Sequence, residues 1–352
     1  MVVFMRRIFA FVICISILSA CGQNTDNVFD APVKRGSAKI INTLDGEIVN
    51  IVEDKPNVIT DIFVVDSVLL LKGKKQDSPY MIYVYSLQDN SYLGNYVAKG
   101  RGPNELLSPQ FNGFVKKNDQ LYLFDLNLCA SYLFDYRKSV ETNNTVLSKL
   151  VKLPARTLYA YPMDKGHIAI VPEEDDYVCE ILDENGKQIK KFSLYPHVSG
   201  MQYFDRLSSA CEMNKKKNKL AMAMCMLPQM NILDVETGNK VTYAVTDDFK
   251  NWNMALNSSD IDRRLYYMSS AQSSEYFMSL YVGGQSVMDW AKGGALPHLH
   301  VFDWDSNLLC DISLTENLKS IAFDESSNTL YGVDTFDNIY KYSMNKVLCT
   351  QL

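Results

Sequence analysis

The chain has 352 residues, 47% of them apolar, with 35 basic against 41 acidic side chains and a formal charge of −6. That length allows one large or two ordinary domains, and the acidic balance argues against a nucleic-acid partner, which would call for a basic footprint. Four histidines, with neither HExxH nor GxSxG spacing, leave a catalytic triad or a zinc-hydrolase site poorly supplied.

The N-terminus reads as a signal peptide. Arg6 and Arg7 precede an apolar run from Ile8 to Leu18, too short to span a bilayer as a helix. The run ends in Leu18-Ser19-Ala20-Cys21, the pattern of a bacterial lipobox: small residues let a signal peptidase approach, and the Cys21 thiol accepts diacylglycerol. Cleavage leaves 332 residues with 33 bases against 41 acids. Residues 21–37 are polar and aperiodic, and read as a tether between lipid and domain. The expected location is the cell envelope, on the outer membrane, with the lipid as the membrane contact.

From residue 38 onward one short pattern recurs. Strand-type residues followed by Ser or Asp and a polar turn appear at Val84-Tyr85-Ser86, Leu133-Phe134-Asp135, Ile181-Leu182-Asp183, Ile232-Leu233-Asp234, Val301-Phe302-Asp303 and Lys341-Tyr342-Ser343. Four of the five intervals lie near the period of one propeller blade. Each mark falls in the third strand of a four-strand group, A to D. The second group reads Asn112–Lys116, Leu121–Asp125, Ser131–Asp135 and Leu150–Leu153. The fourth reads Leu207–Met213, Leu220–Met226, Met230–Val235 and Lys240–Val245. The sixth reads Ser320–Phe323, Thr329–Val333, Ile339–Tyr342 and Val347–Leu352. Turns rich in Asn, Asp and Gly join them. The expected fold is therefore all-β, a six-bladed β-propeller of four-stranded antiparallel blades over residues 38–352. Lys39–Asn42 and Ile48–Val52 also read as strands. One of them either closes the ring onto the last blade or adds an extra outer strand.

Six cysteines beyond the anchor, Cys129, Cys179, Cys211, Cys225, Cys310 and Cys349, show no metal-type spacing. A hairpin centred near Lys216 puts Cys211 opposite Ala221 and Cys225 opposite Leu207, too far apart to bridge. Free buried thiols are expected.

With the blades placed, three segments carry a resemblance: Gly100-Arg101-Gly102-Pro103-Asn104-Glu105, His300-Val301-Phe302-Asp303-Trp304-Asp305, and Ile321-Ala322-Phe323-Asp324 with Asn328-Thr329-Leu330-Tyr331-Gly332-Val333-Asp334 and Ile339-Tyr340-Lys341-Tyr342. In these the chain resembles the TolB-like six-bladed propeller lipoproteins common in Bacteroidetes. Leu280-Tyr281-Val282-Gly283-Gly284 matches a further family stretch in part. The resemblance implies the fold and an envelope location, and no established activity.

Individual motifs give no chemistry and no cofactor. Gly100-Arg101-Gly102-Pro103 lacks the Walker lysine and a following helix, and reads as a stiff interblade turn. Asp303-Trp304-Asp305-Ser306-Asn307 begins like an EF-hand, but its sixth and twelfth positions are Leu308 and Leu314, so it reads as a hairpin turn. His298 and His300 share a strand face and read as packed histidines rather than a metal pair. What stands out is loop length. The D–A and B–C connections Gly100–Pro109, Tyr195–Arg206, Asp247–Arg264, Lys72–Pro79 and Gly283–Pro297 all open on one face of the disc. Trp252, Trp290, Arg263, Arg264 and Lys292 sit in two of them. Long loops on a rigid scaffold are the usual carriers of binding. Arg101, Glu105, Arg263, Arg264 and Trp290 are therefore the expected contacts for a protein or glycan. The alternative is a hydrolase, lactonase or lyase with its site at the channel mouth. Three or more convergent carboxylates or imidazoles in the channel would favour the enzyme.

Overall fold

The computed structural model describes residues 27–36, 38–51, 53–115, 120–174, 176–196, 206–246, 252–259 and 262–348. Cys21, the signal peptide, His197 and Cys349 lie outside the described residues.

Six sheets form six blades around a ring, each a simple up-and-down meander running outward from an innermost strand. The innermost strands are Val58–Val65, Pro109–Val115, Tyr159–Pro162, Ser209–Asn214, Arg264–Gln272 and Leu318–Asp324. Blades 2 and 4 match the expected strands to within a few residues. Six apolar layers make up the core, one between each pair of neighbouring blades. This is why the strands are apolar on both faces.

The recurring Asp is a turn-former. Asp183 Oδ1 accepts the Asn185 and Lys187 amides at 2.9 and 2.8 Å, and Asp303 Oδ1 accepts those of Asp305 and Asn307 at 2.9 and 2.8 Å. Asp234 does the same for Glu236 and Thr237, and the left-handed φ of Gly186 and Gly238 completes two of these hairpins. At Asp135 the same chemistry caps a helix, Tyr136–Thr142, through the Lys138 amide. The false EF-hand is such a turn, with Trp304 buried behind it and its Nε1 donating to the Ser273 carbonyl.

Residues 27–36 depart from the tether expected over residues 21–37. Val28, Phe29 and Ala31 are fully buried in the layer between blades 3 and 4. From there the chain runs as a strap along three outer edges. Val33–Lys34 pairs parallel to the outermost strand of blade 4, and Lys39–Leu44 pairs parallel to that of blade 5. Glu47–Ile48 then pairs antiparallel to Ile339–Ser343. Glu47–Ile48 is thus the fourth strand of blade 6, and the ring closes by joining its two ends. Of the strand expected at Val347–Leu352, Val347 and Leu348 are helical instead, and residues 349–352 lie outside the described residues. Met344, just before the short helix Asn345–Leu348, and Val347 within it turn into the core.

Blade 1 is edged by a parallel Glu105–Leu106 strand, so blades 2 and 3 keep bare outer edges. Those edges, Leu147–Lys152 and Gln188–Ser193, carry Lys149, Lys152, Lys190 and Lys191, charges that discourage edge-to-edge pairing.

Cys129, Cys179, Cys211, Cys225 and Cys310 are free. Cys211 sits opposite Met222 rather than Ala221, one residue from the expected register, and the Cys225 amide bonds the Ser208 carbonyl. Burial pushes the Cys225 thiol up to about 11 and that of Cys179 up to about 12, so both are unreactive.

Candidate functional site

The loop after blade 1 builds itself. Gly102 N–H donates to Glu105 Oε2 at 2.7 Å, Gly100 N–H bonds the Leu106 carbonyl, and a Cβ at Gly100 would run into the Glu105 carboxylate. Glu105 therefore braces the turn. Arg101 is exposed and makes no ion pair among the described residues. Arg101, Leu128, Tyr132, Leu147 and Lys149 line an open groove of about 530 Å³. Asp125, fully buried, holds this region from below: it accepts the amides of Leu107, Ser108, Asn127 and Leu128 at 2.6–3.0 Å.

On blade 5 the inner hairpin, Arg264–Gln272 with Tyr276–Ser286, is longer than its counterparts and bulged twice. A helix, Val287–Ala291, follows directly and is capped by Ser286 Oγ, which accepts from the Asp289 amide. Trp290 is half-buried there, and its indole N–H has no partner among the described residues. Arg264 is exposed at the start of the hairpin. Trp252 differs from the exposed aromatic expected of a loop: it lies on a short helix, Trp252–Leu256, and packs on the layer between blades 3 and 4. Arg101 and Glu105 belong to blades 1 and 2, whereas Arg263, Arg264 and Trp290 belong to blade 5, on the far side of the ring. The structure places all five on one face and does not bring them into one pocket.

That same face carries side chains the sequence reading passed over. Phe336, in the B–C turn of blade 6, is 82% exposed. Its turn is held to blade 1 by Asp337, which accepts the Ile59 amide at 2.8 Å and pairs with Lys319 at 2.6 Å. Val58 and Tyr80 on blade 1 and Val287, Met288 and Leu296 on blade 5 are also exposed. Blades 5, 6 and 1 thus present an apolar-tipped arc. The available signal was Asp334-Thr335-Phe336-Asp337-Asn338, an aromatic residue at the tip of an otherwise polar turn.

Glu212 and Asp61 are carboxylates within innermost strands. Glu212 of blade 4 accepts from Ser270 Oγ of blade 5 at 3.2 Å. Asp61 of blade 1 accepts from Ser320 Oγ at 3.3 Å and faces Lys72 at 3.7 Å. Burial, reinforced by the Asp61 charge, pushes the Glu212 carboxyl up to about 8. Among the described residues no three His, Cys, Asp or Glu groups converge to hold a metal. His298 bonds Asp311 at 2.6 Å; His300 bonds the Tyr267 hydroxyl at 2.9 Å and stacks on Tyr281. His167 bonds the Tyr122 hydroxyl at 3.2 Å. Burial lowers both His167 and His300 to about 4.

These shifts predict a two-sided pH profile. The folded imidazoles refuse the protons that the unfolded chain takes up near 6.5, so their contribution is complete above 6.5 and lost as pH falls to about 4. Glu212 has the opposite sign. Folding keeps its proton up to about 8 whereas the unfolded chain releases it near 4.5, so that contribution is present below 4.5 and lost as pH rises to about 8. Urea midpoints measured against pH should therefore decline more gently above 6.5 in Glu212→Gln and more gently below 6.5 in His300→Gln. Unchanged slopes would contradict the assignment.

The family model described as TolB-like 6-blade propeller-like matches residues 59–326, and the chain belongs to that family. No curated protein matches the sequence. Among solved structures it is similar to a Bacteroides fragilis protein described as exported, with 11% identity, a TM-score of 0.51, and 87% of this chain and 99% of that one covered. It is also similar to Kuenenia stuttgartiensis hydrazine synthase, with 9% identity, a TM-score of 0.50, and 86% and 81% covered. A third likeness is to Chaetomium thermophilum Raptor, with 11% identity, a TM-score of 0.50, and 82% of this chain but 28% of that one covered. At such identities these likenesses show the fold alone.

Proposed function

We propose that the protein is a lipid-anchored, non-enzymatic scaffold of the bacterial envelope, held in the outer membrane through Cys21 and receiving a protein or glycan on its D–A/B–C face. The carrying observation is the exposed apolar arc of Phe336, Val58, Tyr80, Met288 and Leu296 on that face. Exposed apolar side chains gathered on one face of a rigid scaffold mark an interaction surface. Arg101 and Arg264 lie on the same face and supply charge; Trp290, its indole N–H buried, and Arg263 flank them.

Two measurements test the parts separately. Fatty-acid labelling should be lost in Cys21→Ser while the domain still folds. A partner cross-linked in its own envelope should bind at least about tenfold more weakly to Phe336→Ser or Trp290→Ala. It should bind normally to Lys165→Ala in an A–B turn on the opposite face; the reverse pattern refutes the surface.

One observation favours an envelope hydrolase, lactonase or lyase instead: the Glu212 carboxyl, protonated near neutral pH beside Ser270, has the form of a general acid. Turnover of an ester, lactone or uronate substrate that disappears in Glu212→Gln would support that reading over the scaffold.

A further inference from the structure

We infer that the bare edge of blade 2 takes up an extended acidic segment of a partner protein as a fifth strand, running parallel to Leu147–Lys152. The inference deepens the binding reading above and rests on it only for the partner being a protein. Its first support is internal precedent. Blades 1, 4 and 5 each carry a fifth strand, Glu105–Leu106, Val33–Lys34 and Lys39–Leu44, and every one runs parallel to the strand it covers. The fourth strand of a blade in this ring thus accepts a parallel neighbour, and that of blade 2 has none among the described residues. The Val146 carbonyl and the Leu153 amide turn inward, to the Asp135 amide and the Cys129 carbonyl. Carried through the bulge at Leu150, the alternation leaves the backbone groups of Leu147, Lys149 and Lys152 turned outward.

The second support is charge. Three cations gather at this edge of an acidic chain: Lys149 and Lys152 on the strand, and Arg101 across the groove. All three are exposed, and none makes an ion pair among the described residues. The bare edge of blade 3 differs, because there Lys190 bonds the Glu236 carbonyl at 2.9 Å and Lys191 pairs with Glu173 at 2.6 Å. Lysines on an edge repel a second copy of that edge. The same charges attract a strand of carboxylates, so they select the partner rather than forbid one. A strand laid on Leu147–Lys152 sends alternate side chains toward blade 1, into the groove of about 530 Å³ that Leu128, Tyr132 and Leu147 line. Carboxylates placed there meet Arg101 and Lys149, while Leu150, 39% exposed, offers the intervening side chains an apolar contact. Main-chain bonds then supply affinity, and the cations supply selection.

A fluorescein-labelled peptide of alternating Glu and Val, about six residues long, tests this on the full chain by fluorescence anisotropy. It should bind with a Kd of about 10–100 μM at low salt, and Arg101→Ala combined with Lys149→Ala should weaken it at least about tenfold. N-methylation of the peptide's backbone amides, which keeps the charge and blocks strand pairing, should abolish binding. Amide exchange at Leu147, Lys149 and Lys152 should slow in the presence of the peptide, with Gln188–Ser193 on blade 3 unchanged. Phe336→Ser should leave the peptide's affinity as it is, so failure of the apolar arc and failure of the edge site are distinguishable. Equal binding of a Lys-Val peptide, no binding at about 1 mM, or slowed exchange on blade 3 instead overturns the proposal. So does binding that survives N-methylation and is displaced by an oligouronate, an outcome that makes the groove a site for an acidic glycan.

Discussion

A chain lacking residues 27–48 should lose its cooperative unfolding transition, and Phe29→Ala alone should lower stability by about 3–5 kcal/mol. The deletion removes three fully buried side chains, Val28, Phe29 and Ala31, from the layer between blades 3 and 4. It also strips Ile41 and Leu44 from the layer between blades 5 and 6, and leaves blade 6 with three strands. A propeller differs from a solenoid in that its first and last units must meet, and the Glu47–Ile48 pairing is where they do. The upper limit on the Phe29→Ala effect is set by local release. If the strap peels from blade 4 more cheaply than the cavity costs, the global midpoint falls by only that smaller amount. Trypsin then cuts after Lys34 or Arg35 under native conditions. Urea unfolding followed by tryptophan fluorescence, together with that digest, separates the two outcomes. A midpoint and digest like those of the parent protein would restore the free-tether reading of residues 27–36.

How far the sequence speaks follows from the range of the interactions that carry each feature. The blade marks are legible because an Asx turn is local: Asp183, Asp234 and Asp303 each bond amides within four residues, so the chemistry repeats with the blade. The hairpin joining Cys211 to Cys225 is nearly legible. Its partners are offset by one residue because Asn214 faces Lys219, which centres the turn between Lys216 and Lys217. The strap is a different matter. Two of its three pairings are parallel, all are two to six residues long, and they join positions such as Val33 and Thr242 that lie far apart in the chain. The strands near Lys39 and Ile48 are legible, but no turn residue announces their partners, and Phe29 stands in a polar stretch that reads as linker. The proposed binding face was legible only as topology, through the loop lengths on the D–A/B–C side. Its content was not. Trp252 is drawn into the core by a helix too short to show periodicity, and Phe336 sits in one of the shortest connections rather than one of the longest. Glu212 is one acid in an otherwise uncharged strand, a departure from pattern that becomes informative only once Ser270 and Asp61 are known to face it.

Asp125→Ala should cost about 3–5 kcal/mol, several times more than Asp303→Ala, although both are turn carboxylates accepting backbone amides. Asp303 is half-exposed, and the Asp305 and Asn307 amides it serves can turn to water. A cost of about 1 kcal/mol is expected there. Asp125 is fully buried and serves four amides at once. Its Oδ2 takes Leu107 and Ser108 from the loop entering blade 2, while Oδ1 takes Asn127 and Leu128 from the B–C turn of the same blade. Removing the carboxylate strands two partly buried donors on each side of a cavity that water enters poorly. Asp125→Asn keeps one carbonyl oxygen and so one of the two pairs, and should recover about half the loss. The consequence reaches the surface, because Leu128 lines the groove beside Arg101 and Leu107 continues the turn that Glu105 braces. Denaturant titration of the three variants gives the energies, and amide exchange at Leu107, Ser108, Asn127 and Leu128 shows whether both loops loosen together. If exchange rises at only one pair, or if Asp125→Ala costs no more than Asp303→Ala, then Asp125 does not couple the two loops and the groove is held by the Glu105 turn alone.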